Sequence, residues 1–299
     1  CREIVLIHPE KPSKKKTDRR DAQKLADLLW INRERLAAGQ VVRGLRRVYM
    51  VTQQEREDRQ LTSLRKNLGQ RRTRTLNKIH RIVNRHNLIW QYPTKTFQTQ
   101  PGRKWLAKVS LPAVDRLEMD VLLKEWEISD QQIALVDQEI VERASRSFPD
   151  SVLNTTQILM TTPGVSCYSG LTLASRIGPI QRFPRPRSLA NYFGLTPGCR
   201  NSGNAQDRLG SITKQGSKTA RFILGQLVLH VLKRDPKMRN WYRRIKQRRG
   251  SKIARVAVMR RLTTIFWHML TYNEPYTIGG PPPRLRDAQN SPTPRRNAA

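Results

Sequence analysis

Acidic residues are scarce in this sequence. The 299-residue chain contains 23 Asp and Glu against 57 Lys and Arg, which gives a formal net charge of +34. A compact protein with this charge repels itself unless a polyanion neutralises it, so nucleic acid is the expected partner and an acidic membrane surface the alternative. Hydrophobic residues make up 37% of the chain, which is enough for packed cores and excludes wholesale disorder.

Cysteine and long apolar runs are also rare. The three cysteines, Cys1, Cys167 and Cys199, lie far apart and form no C-x-x-C pair, which excludes a disulfide framework and a zinc site. No apolar run approaches the ~18 residues of a membrane-spanning helix, and the chain does not start like a signal peptide. The sequence therefore predicts a cytoplasmic protein without a membrane partner. The motifs of P-loop hydrolases, serine esterases and zinc proteases are absent as well.

The few acids are unevenly distributed. Residues 59–114 and 151–206 contain none, residues 115–150 contain 10 acids and 4 bases, and residues 207–299 contain 4 acids against 21 bases. Metal-assisted phosphoryl transfer needs clustered carboxylates. Any chemistry in the C-terminal half is therefore predicted to use a nucleophile.

Two long helices are predicted from hydrophobic periodicity. Residues 59–89 read as a basic amphipathic helix, and the acidic residues 115–148 form a second one with a stripe of Leu117, Val121, Ile128 and Leu135. We expect this stripe to pack against a partner helix. The two helices either form an intramolecular hairpin or join two copies of the chain, and residues 91–112, with three prolines, are predicted to be a connection.

The C-terminal half is predicted to be helical, with helices over residues 221–234 and 255–270. The turn at Pro163-Gly164 is typical either of a helix-hairpin-helix, whose N–H groups bind phosphate, or of a plain helical corner. Residues 241–249 interleave aromatic and basic side chains. They suit stacking and backbone contacts on nucleic acid, or an exposed basic helix with Trp241 and Tyr242 turned into the core.

Three residues are candidates for chemistry. Asp18 and Asp21 lie three apart at a predicted helix start, where they could hold Mg²⁺. The alternative is that Asp18 is the N-cap of the helix and Asp21 a first-turn acid that favours the helix dipole. Ser202 lies in a turn-rich loop beside Arg200, where it could attack phosphorus or act as an ordinary turn residue.

The sequence resembles the insertion-sequence transposases that include RNA-guided bridge recombinases and site-specific DNA invertases. The resemblance covers roughly residues 1–275 and rests on residues 16–22 (KTDRRDA) and on a series of short matches in the family's order. These include Thr162-Pro163-Gly164-Val165, Phe193-Gly194-Leu195-Thr196-Pro197, Asn201-Ser202-Gly203 and Lys214-Gln215-Gly216.

The resemblance implies a mainly α protein with a ribonuclease-H-like, RuvC-like α/β part at its front. It implies a remnant of the Asp-Glu-Asp-Asp domain over residues 1–48, a long helical coiled-coil segment over 49–150 and a C-terminal transposase domain over 151–275. The last carries a helix-hairpin-helix-like element, and residues 276–299 are predicted to be a disordered Pro-rich tail.

The resemblance also implies a mechanism. Asp18 and Asp21 match the third and fourth acidic positions that bind Mg²⁺, and Ser202 matches the serine that attacks the DNA backbone in strand cleavage and transfer. Only Glu3 and Glu10 precede Asp18, and neither has the family's context. We therefore expect an N-terminally truncated chain, with residues 4–7 as the last strand, that binds DNA but does not recombine it.

The expected partners are DNA, a guide RNA and further copies of the chain, in the nucleoid of a bacterium or archaeon. The alternative is a non-catalytic DNA- or RNA-binding remnant of a transposase. The residues predicted to contact nucleic acid are Lys16, Arg19, Arg20, Arg71, Arg72, Arg74, Gly164, Arg200, Lys214, Arg221, Arg243, Arg244, Arg248 and Arg249.

Overall fold

The computed structural model describes residues 17–40, 42, 48–146, 153–199 and 209–281. The chain divides into two compact units, residues 1–53 and 54–299. The described part is mainly helical, as predicted. The predicted strand at residues 4–7 lies outside the described residues, so the ribonuclease-H-like part stays a prediction.

The first unit contains two helices, α1 (Asp18–Ile31) and α2 (Arg33–Ala37). The hydroxyl of Thr17 accepts a hydrogen bond from the N–H of Arg20 and caps α1. Asp18 is therefore the first residue of the helix, and the N-cap position that the sequence allowed it belongs to Thr17. No residue of α1 or α2 is buried within the described chain.

The second unit begins with an antiparallel pair of 33-residue helices, α3 (Gln53–Arg85) and α5 (Ala113–Ser145). A short 3-10 turn, Ile89–Gln91, and helix α4 (Gln100–Lys108) lie between them. Their shared core contains Ile79, Leu106, Met119 and Trp126, each at most 1% exposed. The predicted pair of long helices is thus confirmed as an intramolecular hairpin.

Helix α4 was not predicted, because its proline and glycine read as breakers. The Thr99 hydroxyl accepts from the N–H of Gly102 and caps the helix, and Pro101 stands in the first turn, where the missing N–H costs no hydrogen bond. Gly102 is buried, and a Cβ there would lie 2.9 Å from the backbone of Phe97. The two residues therefore start a helix that packs closely on the preceding loop.

The acidic segment is the charge partner of the basic helix. Ion pairs join α3 to α5 along their length, and the N-terminal end of each helix pairs with the C-terminal end of the other. They are Arg85 with Asp115, Arg71 with Glu125, Arg72 with Asp130, Arg65 with Asp137, and Asp58 with Arg143. The charge segregation in the sequence therefore encodes the antiparallel hairpin.

The predicted apolar stripe of α5 does not form the hairpin seam. Leu117, Val121, Ile128 and Leu135 are 50–70% exposed. The buried face of α5 is instead set by Met119, Leu122, Trp126, Val136 and Ile140. The expectation that the stripe packs against a helix is wrong within this chain, since the described residues leave it open.

Five helices and a two-stranded sheet follow. The helices are α6 (Thr155–Met160), α7 (Cys167–Ile177), α8 (Pro186–Tyr192), α9 (Lys218–Arg234) and α10 (Pro236–Tyr272), with a 3-10 turn at Ile180–Arg182. The antiparallel strands are β1 (Pro197–Cys199) and β2 (Leu209–Ile212). The core includes Leu159, Phe193, Leu224 and Phe266, which are at most 1% exposed.

Helix α7 joins this group of helices to the hairpin. Leu171 packs with Val136 and Ile140 of α5. On the α3 side, Arg176 is only 8% exposed and donates to the Thr62 hydroxyl at 3.1 Å, and Nε of Arg59 donates to the carbonyl of Ser175 at 2.6 Å. Burial lowers the pKa of Arg176, helped by the neighbouring charge of Arg59. The hairpin and the C-terminal helices are therefore one packed unit.

Candidate nucleic-acid interface

Helix α10 presents an acid-free basic surface. Residues 236–272 contain no Asp or Glu. The helix is interrupted at Gly250, whose φ of 82° and ψ of 165° only glycine adopts readily. Exposed bases surround this corner and form no ion pair within the described chain: Arg243, Arg244, Lys246, Arg248, Arg249 and Lys252. We call this set the α10 corner.

The aromatic residues beside the α10 corner face inward. Trp241 and Tyr242 are half-buried and pack against the core of the C-terminal helices. The guanidinium of Arg261 lies over the Trp241 ring, 4.8 Å from its centroid. Of the two predicted arrangements, the structure shows the exposed basic helix with its aromatics turned into the core. The surface suits phosphate contacts, whereas base stacking on these two rings is not supported.

A buried carboxylate fixes the start of α10. Asp235 is fully buried and caps the helix by accepting from the N–H of Met238 at 2.9 Å. It also accepts from the Tyr276 hydroxyl at 2.6 Å and the Gly279 N–H at 2.7 Å. Burial raises the pKa of Asp235, but these hydrogen bonds outweigh it and hold the pKa below its usual range. Ordered structure therefore continues past residue 275, where the sequence predicted the tail to begin.

The strands β1 and β2 lead to the segment that carries the predicted nucleophile. Cys199 pairs with Leu209 in the register of the sheet. Ser202 and Arg200 belong to the residues between them, which lie outside the described chain. Lys16 also lies outside it. The roles of these three residues stay predictions.

Hydrogen bonds from Arg221 hold the loops at the other end of this sheet. One terminal nitrogen of Arg221 donates to the carbonyls of Phe193, Gln215 and Gly216 at 3.0–3.2 Å. Lys214, at the turn, adopts a positive φ of 55° and is exposed. Arg221 thus ties α9 to the turn after β2, a structural role that the sequence did not indicate, while Lys214 remains open to a ligand.

The predicted Pro163-Gly164 turn is present between α6 and α7. Gly164 has a φ of +87°, and a Cβ there would overlap the side chain of His230 on α9. A turn and a close helix contact therefore explain the glycine. Its predicted contact with phosphate stays a prediction.

The predicted arginines of α3 differ in their surroundings. Arg71 pairs with Glu125 and Arg72 with Asp130, so the charges of both are used within the hairpin. Arg74 is exposed and has no ion-pair partner in the described chain. Of the three, Arg74 is the one available to an external anion.

Arg74 lies at the edge of a cleft that the sequence did not reveal. The cleft has a volume of about 550 Å³ and opens between α3, α7 and α9. Its lining combines bases with aromatic and small residues: Arg65, Lys66, Gly69, Gln70, Thr73, Arg74, Tyr168, Lys218 and Phe222. Helical periodicity places such residues on a face, but only the tertiary packing brings three distant helices together. The absence of acids from 59–114 and 151–206 was the one available signal.

Asp18 and Asp21 both lie in the first turn of α1, three residues apart and therefore on one face. Arg19 and Arg20 lie on the same turn. Mg²⁺ in proteins is held by one or two carboxylates together with water and phosphate oxygens, so this donor pair fits it. Within the described residues, no cluster of three or more His, Cys, Asp or Glu side chains is available for a metal.

The structure contains no helix, among the residues it describes, with both the length and the apolar character needed to cross a bilayer.

Comparison with known proteins points to one class. The chain is 28% identical over 283 residues to the transposase for insertion sequence element IS1111A of Coxiella burnetii, covering 92% of this chain and 73% of that protein. It is 29% identical over 219 residues to y4qE of Sinorhizobium fredii, also named as a transposase, covering 72% and 48% of the two chains. Residues 156–243, which run from α6 to the start of α10, match the family model of the transposase IS116/IS110/IS902 family, so this part of the chain is similar to the transposase domain of that family.

Proposed function

We propose that this protein is a DNA transposase of the insertion-sequence type that binds DNA through the α10 corner and cleaves and transfers strands with Ser202. The observation that carries the DNA-binding part is the acid-free, unpaired basic surface around Gly250. The sequence similarity to transposases supports the class of reaction.

The α10 corner suits the backbone of DNA rather than its bases. Lys and Arg that neutralise phosphates release condensed counterions, and such contacts carry no sequence information. The inward position of Trp241 and Tyr242 leaves the corner without a stacking platform. Sequence selection would then come from another source, and we propose a guide RNA for it.

The proposed chemistry is a transesterification at phosphorus. The Ser202 Oγ attacks the phosphorus atom of a DNA phosphodiester, a new Oγ–P bond forms and the bond from phosphorus to one sugar oxygen breaks. The serine proton passes to water, and the leaving sugar oxygen takes a proton from water. Attack on this phosphoserine ester by the sugar hydroxyl of another strand reverses these steps and releases the serine.

Asp18 and Asp21 are the residues that would hold Mg²⁺. A bound Mg²⁺ supplies positive charge that stabilises the developing negative charge on phosphate oxygens. The two residues lie three positions apart in the first turn of α1, a spacing that places them on one face of the helix. Their role rests on the chemistry of the donor pair and on the resemblance at residues 16–22.

We also propose that the chain assembles with further copies of itself through α5. The stripe of Leu117, Val121, Ile128 and Leu135 is exposed along one side of a packed hairpin. Exposed apolar residues at helical spacing are typical of a helix face that pairs with another helix.

The alternative function is a nucleic-acid-binding protein without catalysis. The same α10 corner would serve it, and Ser202 would then be an ordinary loop residue. The two functions differ in one product, a covalent bond between protein and DNA.

Trapping of that bond tests the proposal. DNA with a nick near the cleavage position is incubated with Mg²⁺ and with the chain joined to the acidic N-terminal front that the family resemblance implies, and denaturing gels detect a covalent adduct. We expect Ser202→Ala to abolish the adduct and Ser211→Ala, in the neighbouring strand, to retain it. A covalent adduct that persists in Ser202→Ala would favour a different nucleophile. If the unsubstituted chain forms no adduct, the non-catalytic alternative is favoured.

A further inference from the structure

The cleft between α3, α7 and α9 holds more positive charge than the protein neutralises. Arg65, Lys66, Arg74 and Lys218 line it. Arg65 pairs with Asp137, which is the one carboxylate that an ion pair brings to this group in the described chain. Three cations therefore face the cleft without a counter-charge.

One of these cations is held in place. The ammonium of Lys66 donates to the Thr219 hydroxyl on the first turn of α9, at 3.3 Å. This hydrogen bond joins α3 to α9 across the cleft and fixes Lys66 beside Lys218, the first residue of α9. Both ammonium groups belong to residues that line the same cleft, where an anion would offset their like charges.

The cleft also presents an aromatic face. Phe222 is 53% exposed and makes no ring contact within the described chain. Tyr168 forms part of the opposite lining and lies under the guanidinium of Arg65, which is 5.6 Å from its ring centroid. The exposed face of the Phe222 ring therefore has no packing partner in the described chain and could stack against a planar ligand.

One lining residue of the cleft is Gly69, and no close packing within the protein requires a glycine there. Gly69 stands in the interior of α3, where glycine costs helix stability relative to alanine. A Cβ at Gly69 would meet only the flexible end of Arg65, at 3.3 Å. This differs from Gly194 and Gly216, where a Cβ would overlap backbone atoms. The space beside Gly69 is therefore available to a ligand in the cleft.

We propose that this cleft binds one unpaired nucleotide of a nucleic-acid strand, its base stacked on Phe222 and its phosphate between Lys66, Lys218 and Arg74. A nucleotide combines a flat apolar ring with an adjacent anion, which is the combination that the lining offers. Base stacking on an aromatic side chain is insensitive to sequence, so the site selects strands by the absence of pairing. The inference rests on the proposed binding of nucleic acid but concerns a surface separate from the α10 corner.

Duplex DNA does not fit the same description. In a duplex each base is stacked between its neighbours, and its ring face cannot reach Phe222 without leaving the helix. An acidic peptide would satisfy the cations but leave Phe222 without a planar partner. Both serve as competitors in the test.

Binding of fluorescent oligonucleotides by the full chain tests the inference. The probes are single-stranded DNA, single-stranded RNA of the same sequence, the matching DNA duplex, and a base-depleted single strand from which every base has been removed. The two single strands distinguish DNA from RNA as the source of the nucleotide. Phe222→Ala removes the stacking face, and Leu229→Ala is its matched control, because Leu229 is 59% exposed on the same helix but does not line the cleft.

We expect Phe222→Ala to weaken binding of at least one single strand about 5- to 150-fold, to leave duplex binding unchanged and to have little effect on the base-depleted strand. Leu229→Ala should bind all probes as the original chain does. Gly69→Leu fills the cleft without removing a charge or a buried contact, and should cause the same selective loss in a chain that remains folded.

The outcomes separate the two proposals. If single-strand binding survives both Phe222→Ala and Gly69→Leu while duplex DNA still binds, the cleft is not a nucleotide site and the proposed function stands. If no nucleic acid of any form binds, the proposed function itself fails. Displacement by an acidic peptide but not by single strands would also overturn the inference.

Discussion

The Nε atom of Arg65 on α3 lies 2.6 Å from a carboxylate oxygen of Asp137 on α5. This pair links the hairpin to the cleft, because it is one of the ion pairs that join α3 to α5 and its arginine lines the cleft. Asp137 therefore both stabilises the hairpin and reduces the positive charge of the proposed nucleotide site.

Substitution Asp137→Asn should separate these effects. The pair is partly exposed, so its loss should cost at most about 1 kcal/mol of folding stability. The freed charge of Arg65 should tighten single-strand binding and steepen its salt dependence by about 0.7 in the log–log slope. Asp120→Asn is the control, because Asp120 pairs with Arg116 within one helix and does not line the cleft. Equal effects of the two substitutions on binding would contradict the role assigned to Arg65.

The glycine in the floor of the cleft should limit stability. Gly69→Ala should raise the free energy of unfolding by about 0.5–1 kcal/mol, because alanine loses less backbone entropy in a helix and a Cβ there meets only the tip of Arg65. Urea denaturation followed by circular dichroism measures the change. A loss of stability would mean that the helix packs more tightly at this point than the structure indicates.

The hydrogen bonds that Asp235 accepts predict that the folded protein loses stability in acid. Because the folded pKa of Asp235 is lowered, its contribution to stability is present above the pKa of about 3.9 of an unfolded aspartate and is lost as pH falls through the folded value. Asp235→Asn removes a charged acceptor from Tyr276, Met238 and Gly279. We expect it to cost about 1–3 kcal/mol at neutral pH and progressively less as pH falls below the unfolded pKa of about 3.9.

Denaturation curves at neutral and acidic pH check this prediction. Tyr276→Phe is the companion variant, since it removes one of the three hydrogen bonds and leaves the carboxylate. It should show a smaller loss at neutral pH. A loss in Asp235→Asn that is the same at both pH values would show that charge does not matter at this site.

The apolar stripe of α5 predicts the oligomeric state. Leu117→Gln with Leu135→Gln should convert an assembly of several chains into monomers, because both side chains, 66% and 70% exposed, would be buried in the proposed contact. Sedimentation equilibrium measures this. The control is Leu229→Gln with Ile253→Gln, which are exposed to a similar extent on α9 and α10. A monomeric original chain, or equal effects of the two pairs, would contradict assembly through α5.

The sequence predicted the helices well, because their apolar periodicity is strong. It also predicted that α3 and α5 differ in charge, yet it did not predict which face of α5 would be buried. The stripe from Leu117 to Leu135 and the buried set from Met119 to Ile140 both have helical spacing. The choice between them depends on the ion pairs with α3 and on the insertion of Trp126, which are tertiary contacts.

The candidate sites also differ in whether they depend on local sequence or on tertiary contacts. The α10 corner could be predicted, since its bases are close together in one helix, and the inward turn of Trp241 was one of two expected arrangements. The cleft could not, because Gly69, Tyr168 and Phe222 lie on three helices far apart in the chain. The structural role of Arg221 was also missed, because every residue has a backbone carbonyl and the sequence does not show which carbonyls an arginine will reach.

The salt dependence of DNA binding tests the central claim most directly. For the original chain, the logarithm of the binding constant for duplex DNA should fall linearly and steeply with the logarithm of the salt concentration. Replacing Arg243, Arg244, Arg248 and Arg249 by Gln should lower the slope by about 1 for each phosphate that is no longer neutralised, whereas Lys104→Gln with Lys108→Gln on α4 should change it little. A shallow slope for the original chain, or an unchanged slope in the α10 variant, would contradict DNA binding through the α10 corner.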